Sequence, residues 1–277
     1  MKIYMIISFI LSLSVSCIAL PMIMKMLRNS NVLCENYKSD MIPTSVGIVF
    51  IFAQVITMGI LQVLSQLQIF SQLDSGFNFV YLLGFVFMGL LGLLDDLIGD
   101  SKTKGLKGHI KAFFNGILTT GAIKAFLGFF ISLVVSSYIS ISIKDFVINS
   151  LIIGLFTNLI NIFDLRPGRA TKIFIILSII FIITSPISNY KYILYSFFGI
   201  LLPYLSLDFK AKAMMGDAGS NVLGFTLGLY AAISYSFTIR CIILLILLII
   251  HILAENVSFS KVIENNRVLK FLDEIGR

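Results

Sequence analysis

Two adjacent carboxylates, Asp95 and Asp96, end a long apolar run and are side chains that could do chemistry. Acids at the edge of a membrane-length segment are costly unless positive charge lies beside them, and a divalent metal ion would supply it. Neighbouring residues on a helix point about 100° apart, so both carboxylates cannot face one point. We therefore expect a division of labour between them. The alternative is a solvated helix end.

A second polar stripe is formed by Asn158, Asn161 and Asp164. Their i, i+3, i+6 spacing covers an arc of roughly 120° on one helix face, so all three side chains point the same way. Two asparagines alone would be explained by hydrogen bonds between membrane helices. Asp164 at the end of the stripe favours a functional site.

A third stripe starts in the segment Met-Gly-Asp-Ala-Gly-Ser-Asn at 215–221. Asp217, Ser220 and Asn221 are followed by Gly224 and Gly228, all on one side of a helix. A close-packing seam of small residues explains the glycines. It does not explain Asp217, which lies where a helix N-terminus would meet an anion or a metal-held phosphate.

Basic residues follow the acids. Arg166-Pro-Gly-Arg169 places two guanidinium groups around a turn beside Asp164, a combination suited to phosphate or carboxylate. For the other cations, contact with lipid headgroups is the simpler interpretation; they are Lys102, Lys104, Lys107, Lys111, Lys124 and Lys172. His109 and His251 are single histidines, which are typically interfacial hydrogen-bonding groups.

The composition indicates an integral membrane protein of the all-α class. Of the 277 residues, 58% are hydrophobic and 13% are charged, about half the charged fraction of soluble domains. The net charge of +7 is explained by basic residues between spanning segments, so nucleic acid is not an expected partner. The three cysteines have no metal-ligand spacing and are interpreted as small packing residues.

Nine uncharged runs predict a polytopic helical bundle in one domain, residues 1–277. The runs are 3–24, 41–73, 75–94, 125–143, 146–163, 173–190, 192–207, 218–239 and 241–254. An outside N-terminus places 17 of the 21 Lys and Arg residues in the cytoplasmic segments, which the positive-inside rule favours. The same orientation leaves only Asp74 and Asp145 of the acids outside. The tail, 255–277, is predicted to be an amphipathic cytoplasmic helix that caps the site or lies on the membrane.

Carboxylates at the cytoplasmic ends of three spans, with cations around them, suit Mg²⁺-assisted phosphoryl transfer. The metal ion would hold a diphosphate, and the cations would neutralise charge that develops on the leaving group. A site at the membrane surface further implies one lipid-borne and one water-borne substrate.

The sequence resembles the polyprenyl-phosphate N-acetylhexosamine-1-phosphate transferases over nearly its whole length. The resemblance is carried by Gly-Leu-Leu-Asp-Asp at 92–96, Asn-xx-Asn-xx-Asp at 158–164, Met-Gly-Asp-Ala-Gly-Ser at 215–220, and Pro43-Thr44 with Gly47. It implies transfer of a sugar phosphate from a UDP-linked N-acetylhexosamine to undecaprenyl phosphate at the cytoplasmic face of a bacterial cell membrane. The product would begin an envelope glycan such as peptidoglycan. A homodimer is left open.

The resemblance also implies residue roles. Asp217 would be the Mg²⁺ ligand, and Asp95 and Asp96 would act on the polyprenyl phosphate and the metal. Asp164, with Asn158 and Asn161, would line the nucleotide-sugar pocket. The family's lysine falls on Lys124, with Lys111 as a rival. Arg166, Arg169 and Ser220 complete the predicted substrate-binding set.

The sequence departs from the family after Asp164. Family members usually continue Asp-Gly-Leu-Asp-Gly, whereas Leu165-Arg-Pro-Gly168 follows here, and the histidine-rich loop of the muramyl-pentapeptide branch is absent from the sequence. The altered loop leaves a second hypothesis, a binding or carrier protein for a lipid-linked or anionic substrate. A structural scaffold for envelope assembly is a third hypothesis, and it leaves the clustered acids unexplained.

Overall fold

The computed structural model describes residues 2–70, 73–99, 108, 112, 114–187 and 189–276. Over these residues the chain forms eleven helices and one two-stranded antiparallel hairpin, β1 (Leu33–Glu35) with β2 (Met41–Pro43). The helices are α1 (Ile3–Asn29), α2 (Ile48–Gln66), α3 (Ser75–Ile98), α4 (Thr120–Ile139), α5 (Ile143–Phe163), α6 (Arg169–Thr184), α7 (Tyr192–Phe209), α8 (Gly216–Ser234), α9 (Phe237–Asn256), α10 (Phe259–Asn265) and α11 (Arg267–Glu274).

The chain is an all-α, multi-pass membrane protein. Each of the nine predicted spans overlaps one of the helices α1 to α9, and seven of these helices are long and apolar enough to cross a bilayer. The two exceptions are α6, which has 16 residues, and α8. The second predicted span, 41–73, was too long at both ends, because residues 41–43 pair in the hairpin and the helix runs only from Ile48 to Gln66.

Helix α8 is the centre of the bundle. Nearly all of its side chains are buried, and it packs against α3 and α5 along most of its length. Protein surrounds this helix, so it does not need the hydrophobicity that lipid contact demands. Helix α9 is the opposite case, since only Leu247 is fully buried there and most of its other aliphatic side chains are exposed.

Small residues bring the helix axes together. A Cβ on Gly224 or Gly228 would overlap the backbone of α5, so the glycine seam predicted in this helix is a packing surface. A Cβ on Gly199 would likewise overlap Ser12 of α1, and Ser16 donates to the Ile200 carbonyl at 2.9 Å across the same interface. These contacts align α1 with α7 and α5 with α8.

Polar side chains inside the bundle satisfy one another. Gln54 Nε2 donates to the Tyr81 hydroxyl at 2.8 Å, and Ser196 Oγ donates to Gln54 Oε1 at 2.8 Å. The Tyr192 hydroxyl donates to Asn78. These bonds link α2, α3 and α7 among fully buried side chains, where an unpaired polar group would be costly.

The segments predicted to share one side of the membrane meet at one end of the bundle. The hairpin residue Asn36 donates from Nδ2 to the Ala211 carbonyl at 3.0 Å, which joins segment 25–40 to segment 208–217. At the other end, Lys2 contacts Asn189 at 2.6 Å. The alternation of spans predicted from the sequence agrees with these contacts.

Candidate active site

The centre of the site is the ammonium group of Lys124, which two carboxylates approach from different helices. Lys124 Nζ lies 3.0 Å from Asp95 Oδ2 and also contacts Asp217 Oδ2. Asp95 comes from the last turn of α3, Lys124 from the second turn of α4, and Asp217 from the first turn of α8. All three side chains are only partly buried, so this charged cluster is open to solvent on one side.

Asn161 of α5 completes the cluster. With its amide oriented to satisfy the surrounding donors and acceptors, Nδ2 donates to Asp217 Oδ1 at 2.6 Å and Oδ1 accepts from Lys124 Nζ at 3.1 Å. Its nitrogen also lies 3.0 Å from Ser220 Oγ. Side chains from four helices therefore form one hydrogen-bonded group. The polar stripe of a single helix could not form it alone.

Asp96 has a different task from Asp95, as their helical spacing predicts. Its Oδ1 accepts from the Asp217 backbone N–H at 2.8 Å, and its Oδ2 accepts from the Ala218 N–H at 3.2 Å. These are unpaired donors of the first turn of α8, and a carboxylate there also complements the helix dipole. Asp96 thus joins the end of α3 to the start of α8, and its predicted catalytic role stays a prediction.

Glycines permit this junction. Gly216 has φ +66°, and a Cβ at that position would overlap the Asp96 carboxylate. On the other side, the N–H of Gly47 donates to the Met215 carbonyl at 2.9 Å, and a Cβ on Gly47 would overlap Gly219. The residues around Gly47 are therefore part of what holds Asp217 in position.

A cavity of about 670 Å³ extends from the charged cluster between α3, α4, α5, α8 and α9. Its polar end is lined by Asp95, Lys124, Asn158, Asn161 and Asn221, together with Thr120, His251 and Glu255. Its other walls are apolar and include Met88, Leu91, Phe129, Leu151 and Leu155. The predicted stripes on α5 and α8 thus contribute to one cavity that has a charged end and a hydrocarbon-like end.

His251 lines the cavity, a position that the sequence did not predict because a single histidine in an apolar run carries little signal. Its Nδ1 lies 2.8 Å from the Leu247 carbonyl, which favours the proton on Nδ1 and leaves Nε2 as an acceptor. Among the described residues, Nε2 has no hydrogen-bond partner. Glu255 is one helical turn further on and lines the same cavity.

The comparison with protein families decides the classification. The sequence matches the family model "Glycosyl transferase family 4" over residues 78–236, more than half of the chain. The chain belongs to glycosyl transferase family 4. This family 4 chain is 29% identical over 257 residues to the phospho-N-acetylmuramoyl-pentapeptide-transferase of Clostridium perfringens strain SM101, an alignment that covers 82% of the chain and 72% of the relative. With the transferase of the same name from strain 13 the identity is 30% over 257 residues, and the alignment covers 82% and 74%.

Asp164 of the family 4 chain lies at the end of α5 and outside the lining of the cavity. Its backbone N–H donates to the Asn161 carbonyl at 3.2 Å. Burial and the charges of Asp208, Asp217 and Asp96 raise the pKa of Asp164 well above its usual range. Within the described part of the chain its carboxylate makes no ion pair.

Three of the predicted substrate-binding residues contact other parts of the protein. Arg169 is only 4% exposed and donates to Asp273 Oδ1 and Oδ2, each at 2.9 Å, so its guanidinium is turned to the C-terminal tail and not to the acidic cluster. Ser220 is buried and bonds to Asn161, which makes it a support for that amide. Arg166 pairs with Glu264 at 3.2 Å, and this ion pair is exposed to solvent.

The carboxylates of the cluster are compatible with Mg²⁺. No group of three His, Cys, Asp or Glu side chains gathers as a metal site within the described residues. However, Asp95 and Asp217 converge on one cationic point, and Mg²⁺ is commonly held by one or two carboxylates together with substrate phosphates and water. The rival lysine, Lys111, lies outside the described residues together with Lys102, Lys104, Lys107 and His109.

Proposed function

We propose that this protein transfers a sugar-1-phosphate from a nucleoside-diphosphate sugar, of the UDP-N-acetylhexosamine class, to polyprenyl phosphate at the cytoplasmic membrane surface. The observation that carries this proposal is the cluster of Lys124, Asp95, Asp217 and Asn161 at the polar end of a cavity with apolar walls. The relatives act, by their name, as phospho-sugar-peptide transferases, which supports the same class of reaction.

The two ends of the cavity suit the two substrates. A polyprenyl phosphate has a hydrocarbon chain that fits beside Phe129, Leu151 and Leu155, on helices that are membrane spans. Its phosphate would then lie at the charged end, next to Lys124. The nucleotide sugar would approach this end from water, where Asn158 and Asn161 offer amide groups for its polar atoms.

The reaction forms one phosphorus–oxygen bond and breaks another. An oxygen of the polyprenyl phosphate attacks the phosphorus that carries the sugar, and the bond from that phosphorus to the bridging oxygen breaks. The nucleoside monophosphate leaves with the electron pair. Lys124 would reduce the repulsion between the two anionic substrates and stabilise negative charge in the transition state.

The acidic residues would position charge around this exchange. Asp217 and Asp95 would hold a Mg²⁺ ion, which when bound neutralises phosphate oxygens as a Lewis acid. Asp95 also restrains the Lys124 ammonium, and Asp96 fixes the first turn of α8 so that Asp217 keeps its place. Asp164 stays predicted to lie on the nucleotide-sugar side.

The test is a donor panel with the purified protein, polyprenyl phosphate and Mg²⁺, in which lipid-linked sugar diphosphate and free nucleoside monophosphate are both measured. We expect one donor to give both products and EDTA to abolish them. Asp217→Asn should reduce the rate by about a hundredfold or more.

Asp145→Asn is the matched control, because Asp145 pairs with Arg240 at the other end of the bundle. It should keep wild-type activity. Full activity in Asp217→Asn would contradict the assignment. Metal-independent binding of a lipid-linked or anionic substrate, with no nucleoside monophosphate released from any donor, would favour the carrier hypothesis instead.

A further inference from the structure

The two short helices after α9 form a strap, defined here as residues 258–276. It lies over residues 164–172, which are called the loop here and comprise the turn after α5 and the first turn of α6. Its main contact is the buried ion pair of Arg169 and Asp273, in which Nε and Nη2 each donate to one carboxylate oxygen at 2.9 Å. The remaining guanidinium nitrogen, Nη1, donates to Ser260 Oγ at 3.0 Å. All three guanidinium nitrogens of Arg169 therefore donate to the strap.

Two further cations of the loop also bind the strap. Lys172 Nζ donates to the carbonyl groups of Leu272 and Asp273, at 3.1 and 2.6 Å. These carbonyls belong to the last turn of α11, where a cation complements the helix dipole. Arg166 pairs with Glu264 of α10 at 3.2 Å. The loop that departs from the family motif thus uses its basic residues to hold the tail.

Apolar contacts also hold the loop against the strap. The ring of Phe209, at the end of α7, packs against Gly168 on one edge and against Gly276 on the other, and both glycines have positive φ. Phe163 and Phe259 stack with their ring centroids 5.3 Å apart. The loop is consequently held between α7 and the strap.

The contact between the loop and the strap is close to the charged cluster of the site. The loop starts at Asp164, which bonds through its backbone to Asn161, and Asn161 contacts both Lys124 and Asp217. The strap itself lies outside residues 78–236, the part that matches the family model. Removing one partner of a buried ion pair leaves an uncompensated charge, so loss of Asp273 would loosen the loop.

We propose that Arg169 and Asp273 are a positioning pair: by fastening the strap over the loop, they hold Asp164 where the donor nucleotide sugar binds. This inference rests on the proposed function, because donor binding is a step of that reaction. The pair touches neither substrate and acts through the loop. Its loss should therefore affect the KM for the donor more than the KM for the lipid.

The experiment compares wild type with Asp273→Asn by hydrogen–deuterium exchange over residues 163–172 and by steady-state kinetics. We expect exchange in this segment to be about tenfold faster, and the KM for the donor about tenfold higher, within the range for coupled groups of one network. The KM for polyprenyl phosphate should not change. Asp273→Glu, which keeps a carboxylate, should restore much of both properties.

Asp145→Asn is again the matched control, since it removes the acid from a similarly buried ion pair with Arg240 and should leave the exchange of 163–172 and both KM values unchanged. If Asp273→Asn folds poorly, Ser260→Ala removes a single bond to Arg169 and should give a smaller change in the same direction.

Wild-type exchange in an active Asp273→Asn protein would overturn this inference alone. A loosened loop with an unchanged donor KM would also overturn it, because the strap would then be only structural. A wild-type protein without any transferase activity would instead contradict the proposed function, and with it the donor-binding part of this inference.

Discussion

At the scale of single residues, the acidic side chains near the site differ in whether a cation compensates their charge. Lys124 forms ion pairs with Asp95 and Asp217. Asp164 is half-buried near other acids, and its carboxylate has no ion pair within the described residues. Groups held in unfavourable surroundings are frequent at functional sites, where they lower stability. Asp164 is therefore the residue at which stability and activity should oppose each other.

Asp164→Asn should make the protein more stable at pH 8 and less active. The folded state raises the pKa of Asp164, so the native protein binds this proton more tightly than the unfolded chain does. Stability is then lost as pH rises above the unfolded pKa, and the amide avoids that loss. We expect a Tm increase of about 2–4 °C at pH 8, for a change of about 1 kcal/mol, which shrinks toward pH 4.

The matched comparison is Asp208→Asn. Asp208 is buried but accepts hydrogen bonds from the Gly168 N–H at 3.0 Å and from Thr171 Oγ1 at 2.8 Å, so the same substitution should lower the Tm. Thermal unfolding in detergent at the two pH values measures both variants. Equal destabilisation by the two substitutions would show that neighbouring acids do not repel the Asp164 carboxylate.

At the scale of elements, the site depends on how α8 begins. Its first turn receives the Asp96 carboxylate from α3, and the segment before it, 214–215, pairs with residues 43–47 through backbone hydrogen bonds such as Val46 N–H to the Met214 carbonyl at 2.9 Å. Two parts of the chain that are distant in sequence, α3 and residues 43–47, thus determine where Asp217 lies. A helix start held in this way should tolerate little change.

Asp96→Ala should destabilise the protein by about 1–2 kcal/mol, the usual cost of losing a capping side chain. Gly216→Ala should cost a similar amount, because its Cβ would displace the Asp96 carboxylate from the same N–H groups. The double variant should be less destabilised than the sum of the two single effects, because both substitutions break the same junction and only the strain of Ala at the positive φ of residue 216 is independent of Asp96. Chemical unfolding of the four proteins completes the cycle, and additive effects would contradict this account of the junction.

At the scale of the whole molecule, the bundle has two chemically different ends. The cluster, the hairpin and the strap are at one end, and the Asp145–Arg240 ion pair is at the other. Between them the outward faces are rich in aliphatic side chains and phenylalanine, as a lipid-facing surface requires. The distribution of Lys and Arg favours the cytoplasm for the end with the cluster.

The orientation predicts which cysteines a membrane-impermeant maleimide reaches in intact cells. Cys34 is exposed in the hairpin and should be labelled only after the cells are permeabilised. Ile141 is 98% exposed in the turn between α4 and α5, so Ile141→Cys should be labelled in intact cells. A Cys241→Ser background removes the partly exposed thiol near that end. The reverse labelling pattern would show that the protein has the opposite orientation in the membrane.

The sequence alone was sufficient for the class of fold, the existence of the nine helices and the acids that gather at one end. Apolar length and helical spacing are local properties, and they place Asp95, Asn161 and Asp217 on definite helix faces without knowledge of their neighbours. The same reasoning missed the hairpin, because a three-residue strand has no periodicity. It also started the fourth span after Lys124, because it counted only uncharged residues.

Tertiary structure alone decided which charges meet. Lys124 lies between two acids from other helices, Asp96 caps α8, Arg169 turns to Asp273 at the far end of the chain, and His251 faces the cavity. In each case the groups that meet are separated by many residues in the sequence, and the distance between them in space depends on how the helices pack. Residue type and spacing can show that a buried charge needs a partner, but only the packed bundle determines which partner it has.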